Sequence, residues 1–206
     1  MNYFQFFQKY LSCKHLAALS LFRAGMHGEA LALLERDFDW KDQVAEPSIQ
    51  SSQAPHLSNT SGDRLRSSLY LLRGKIHEAA DNRVPAAVDF RMALKFDVHC
   101  VEAYELLVHH EMLTPQEERQ LLDQLPFDDQ CNDVEEVALL RALYADRIKK
   151  YCKPAQWSPS PLLSKLRHNL AVRVNYAERC LYGCDYRQCL ATVEEYVPLN
   201  LLKELS

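Results

Sequence analysis

Apolar residues recur at three- and four-residue spacing along most of this chain, and the pattern predicts helices joined in pairs. Residues 11–44 carry it twice: Ala17, Ala18 and Leu21 mark a first segment, Gly25 a turn, and Ala30, Leu31 and Leu34 a second. Residues 67–100 repeat it, with Tyr70 and Gly74 on the first helix and Ala86, Phe90 and Ala93 on the second. Val101 opens another unit in register, since Tyr104 falls 34 residues after Tyr70. Its second helix has a clear start: Thr114 caps it, Pro115 takes the first helical position and Glu117 completes a capping box. It ends before Pro126, after which Asn132 or Asp133 can cap VEEVALLRALYADRIKKY, with Ala142 at a small-residue position. Beyond a Pro-rich connector the helical pattern resumes at Leu162. The segment YAERCLYGCDYRQCLATVEE then puts Ala177 and Cys189 at small positions, Cys189 lying 103 residues after Ala86.

Small residues at fixed points let two helix backbones approach closely, and large ones fill the space beside them. With a period of about 34 residues this is the signature of the tetratricopeptide (TPR) repeat. The predicted fold is therefore all-α, a right-handed TPR superhelix, offering a curved interaction surface in place of a catalytic pocket. The expected division is a helix pair over 1–44, an insert over 45–66, two TPR units over 67–134, and a degenerate unit, Pro-rich loop and truncated TPR unit over 135–206. The insert is rich in Ser, Gln and Pro and has no periodicity, which predicts disorder and early proteolysis there. EEYVPLNLLKELS has no Asp-Pro ending and no following unit, which suggests a fragment or a short isoform.

Composition narrows the class. A net charge of −4 and a pI near 6.1 argue against a nucleic-acid partner. No run of apolar residues is long enough for a membrane span, and the apolar start lacks the basic leader of a signal peptide. Seven cysteines, an odd number scattered through helical patterns, fit reduced intracellular thiols. Cys180, Cys184 and Cys189 lack the close pairs of structural zinc and read as small core residues. His109 and His110 are adjacent on a helix, about 100° apart, so they cannot both grip one ion. The acidic pairs Glu117-Glu118, Asp128-Asp129 and Glu135-Glu136 suit helix starts. No catalytic, metal or cofactor motif is present, and the expectation is a protein that is not an enzyme and holds no cofactor. Ser158 and Ser160, each followed by proline, are candidate phosphorylation sites.

Three stretches are more specific than a generic repeat. SSLYLLRGKIHEAADNR, ALKFDVHCVEAYELLVHHEMLTPQEERQLLDQLP and IKKYCKP closely resemble the N-terminal half of the cell-division-cycle protein sixteen family. The resemblance runs from about Leu11 to about Val193, excluding the insert. It implies a non-catalytic TPR scaffold subunit of the anaphase-promoting complex, a ubiquitin ligase of mitosis, acting in nucleus and cytoplasm. It further implies contacts with other scaffold subunits and a homodimer through the N-terminal repeats. Relative to the family the chain begins about two repeats late and ends before the C-terminal repeats, so the groove for the small accessory subunit is expected to be missing. Tyr3, Phe4, Phe6 and Phe7 would then expose apolar area, which makes them a candidate interface. The alternative is a generic TPR adaptor binding a peptide or chaperone partner. Its carboxylate clamp would need basic residues on the first helices, where this chain has His15, Leu19, Leu71, Lys75, Glu105 and His109.

Overall fold

The computed structural model describes residues 3–36, 61–148, 160–166 and 168–194, the side chains of 3–9 excepted. Among these residues all regular structure is helical. The helices are α1 (Tyr3–Arg23), α2 (His27–Glu35), α3 (Ser61–Ala79), α4 (Arg83–Phe96), α5 (Val101–His109), α6 (Pro115–Gln124), α7 (Phe127–Gln130), α8 (Val134–Arg147), α9 (Pro161–Ser164), α10 (Leu170–Tyr182) and α11 (Tyr186–Glu194). The fold class is all-α, built on TPR-type helix pairs: α1 packs with α2, α3 with α4, and α10 with α11.

One turn closes four of the first helices. Met26 N–H donates to the Leu21 carbonyl, Asn82 to His77, Met112 to Leu107 and Asp185 to Cys180, at 2.8–3.0 Å. Each bond runs back five residues and satisfies a carbonyl orphaned at the helix end. The geometry demands one left-handed residue per turn, and Gly25, Asp81, Glu111 and Cys184 occupy that place at φ of 78°, 60°, 53° and 59°. Only the first is the residue that adopts this region without cost. Glu111→Gly is accordingly expected to raise stability by about 0.5–1 kcal/mol, strain relief outweighing the greater entropy of the unfolded chain. Urea unfolding measures it, and a loss of stability would mean that the Glu111 side chain contributes more than its backbone costs.

The described contacts divide the chain into two units. The first comprises residues 1–113 and 125–130, the second 114–124 and 131–206. In the first, Leu11, Ala18, Ala30, Leu34, Leu69, Leu72 and Ile76 form one buried cluster across α1, α2 and α3. Phe90, Ala93, Leu94, Ala103, Tyr104 and Leu107 are fully buried around α4 and α5. The short helix α7 returns to this unit: Phe127 is fully buried, and the Gln130 side chain accepts from Val98 N–H at 2.8 Å while donating to the Lys95 carbonyl at 2.9 Å.

In the second unit α6 and α8 begin with strong caps. Thr114 Oγ1 accepts from Glu117 N–H at 3.3 Å, and Glu117 Oε2 accepts from Thr114 N–H at 2.9 Å. Asp133 accepts from Glu136 N–H at 2.7 Å. Buried Arg179 on α10 donates to the Asp146 carbonyl of α8 at 2.8 Å, tying those helices together.

Three features depart from the sequence reading. Residues 61–66, expected at the end of the insert, are the first turns of α3, because Leu65 packs on the α1–α2–α3 cluster; residues 45–60 lie outside the described residues. The division does not follow the expected 134/135 boundary, since 114–124 goes with the second unit. Ala142 is half-buried, and α8 instead buries Tyr144 and Asp146.

Candidate interaction surface

The repeat positions converge most tightly between α3 and α4. An ideal Cβ placed on Gly74 would stand 2.5 Å from Cε1 and 2.7 Å from Cδ1 of Phe90, whose ring is fully buried. Tyr70 stacks on Phe96 with ring centroids 5.5 Å apart. Ala86 and Ala93 are fully buried, as are Ala18 and Ala30 in the first pair and Tyr104 on α5. Gly25 lies in its turn with open space around it. Ala177 is buried, whereas Cys189 is only half-buried. The cause is local, because Cys189 lines an open groove on α10 and α11.

Beside Gly74 sits an ionic cluster. Asp89 is 1% exposed on α4, and Arg73 of α3 grips it with both arms, Nε donating to Oδ2 at 2.8 Å and Nη2 to Oδ1. His77 Nε2 lies 3.8 Å from the same carboxylate. Burial pushes the Asp89 carboxyl above its ordinary value, even though Arg73 and His77 pull it down. The signal was present in the sequence: an aspartate between Val88 and Phe90, on a helix face that otherwise buries apolar residues. An ion pair enclosed in this way holds α3 to α4 in one register.

A second buried carboxylate lies on α6. Glu118, expected only to suit the helix start, is 3% exposed, and its Oε2 has no hydrogen-bond partner. Burial raises its pKa to about 7. Between its ordinary value of 4.5 and about 7, the unfolded chain ionises while the folded chain keeps the proton, so stability falls as pH rises through that window. Glu118→Gln removes the penalty. Its advantage over the parent chain is expected to grow by about 2 kcal/mol from pH 5 to pH 8. Paired urea titrations at the two pH values test this, and an advantage independent of pH would show that Glu118 ionises normally.

The six first-helix positions do not make a carboxylate clamp. Lys75 Nζ already pairs with Glu102 Oε1 at 2.6 Å, His109 is exposed, and burial lowers the His15 pKa and so disfavours its cation. His110 Nδ1 bonds Glu78 Oε1, and Arg83 donates to the His110 carbonyl, so this histidine joins α3 and α4 to the turn after α5. The three cysteines of the last pair diverge: Cys180 is buried, Cys184 is exposed in its turn and Cys189 faces the groove. Ser160 caps α9, its Oγ accepting from Leu162 N–H at 3.4 Å. Ser158, and the side chains of Tyr3, Phe4, Phe6 and Phe7, lie outside the described residues. Among the described residues no helix is long and apolar enough to cross a membrane.

One exposed apolar surface among the described residues is one that sequence reading missed. Leu170, Val174, Leu181 and Leu190 are 63%, 46%, 50% and 54% exposed on α10 and α11. Their spacing is that of core residues, so sequence alone places them inside.

No family model matches the chain. It is 37% identical over 198 residues to the mouse Cell division cycle protein 16 homolog, covering 93% of this chain and 32% of that protein. It is 38% identical over 186 residues to the human Cell division cycle protein 16 homolog, covering 87% and 29%. Over 193 residues it is 30% identical to the Saccharomyces cerevisiae Anaphase-promoting complex subunit CDC16, covering 88% and 23%. The chain thus spans about a quarter to a third of the length of these relatives. Among solved structures it resembles one described as the crystal structure of APC/C hetero-tetramer Cut9–Hcn1, with a TM-score of 0.61 at 21% identity, over 91% of this chain and 34% of that one.

Proposed function

Because the chain belongs to the cell division cycle protein 16 family over the stretch it spans, we propose that it is a non-catalytic scaffold segment of the anaphase-promoting complex. The observation that carries this is the 37–38% identity along nearly the whole chain to two proteins of that name. The structural character agrees: paired helices rigidified by close packing at Gly74 and by the Arg73–Asp89 clamp, with apolar surface left on the outside. A scaffold acts by presenting such surface to other subunits and has no turnover of its own.

The partners proposed are other scaffold subunits of that ubiquitin ligase, together with a second copy of a family member through the N-terminal repeats. Phe4 and Phe7 on α1 are the side chains proposed for that contact, and Tyr3 and Phe6 flank them. Phosphorylation at Ser158 or Ser160 would add up to about two negative charges per site. A nuclear and cytoplasmic location follows from the same reading.

Affinity purification of the tagged chain from mitotic extract tests the proposal. Scaffold subunits of the complex should be recovered, and fewer of them after Phe4→Ser with Phe7→Ser at unchanged helicity. Recovery of none, from a chain that is folded and monomeric, would overturn it.

A further inference from the structure

We draw no further inference here: the strongest candidate, the apolar ridge on α4 where Val84 and Val88 are 79% and 51% exposed, carries nothing, because nothing in the structure shows what covers it.

Discussion

Gly74→Leu lowers the melting temperature by about 6–12 °C, the expected result of driving a side chain into a space that does not exist. Even a single methyl group at this position would stand 2.5 Å from the Phe90 ring. The ring is the stiff part of a fully buried side chain, so relief requires α3 and α4 to separate. Overpacking ordinarily costs about 1–3 kcal/mol, and a leucine here adds four heavy atoms at a helix–helix contact, which puts the cost at or above the top of that range. For a chain of this length each kcal/mol moves the midpoint by about 2–4 °C. Gly74→Ala is the graded control. It gains about 0.5–1 kcal/mol of helix propensity and still meets the ring, so it should fall between the parent and Gly74→Leu. Differential scanning calorimetry of the three chains decides the matter. Equal midpoints for all three would remove the close contact from the account of this repeat.

The second large effect is expected at Arg73. Arg73→Ala leaves the Asp89 carboxylate 1% exposed with its bidentate partner gone. Breaking a buried pair from one side costs about 3–5 kcal/mol, most of it the uncompensated charge. The pH dependence identifies the cause. Burial already holds the Asp89 carboxyl above its ordinary value, and Arg73, more than His77, restrains it. Without Arg73 the folded-state value rises further. Below the unfolded-state value both states are protonated and the added penalty vanishes; above it the unfolded chain ionises first and the folded chain loses stability. The deficit of Arg73→Ala should therefore be larger at pH 8 than at pH 5. The double change Arg73→Met with Asp89→Leu removes both charges at similar volume and should recover most of the loss. A double variant as unstable as Arg73→Ala would mean that the guanidinium's contact with the Tyr70 ring, 5.4 Å from its centroid, matters more than the ion pair.

What the sequence by itself determined is local. Helix pairs, their turns and the close-packed positions Ala18, Ala30, Gly74, Ala86, Phe90 and Ala93 follow from periodicity and residue size, because each of these contacts is made with a helix adjacent in sequence. The caps at Thr114 and Asp133 are equally local, decided within four residues. Family membership was legible for the same reason: it is carried by contiguous stretches. Tertiary structure decided which faces are covered. Periodicity shows that Leu170, Val174, Leu181 and Cys189 share the apolar side of their pair; only the packing shows that nothing among the described residues closes over it as α5 closes over α3 and α4. The same holds in reverse for Glu118, whose burial no spacing rule announces, and for Ala142, which sits in a small-residue slot yet is only half-buried. A residue's face is set by its own helix, but its burial is set by what other parts of the chain, or another chain, bring to that face.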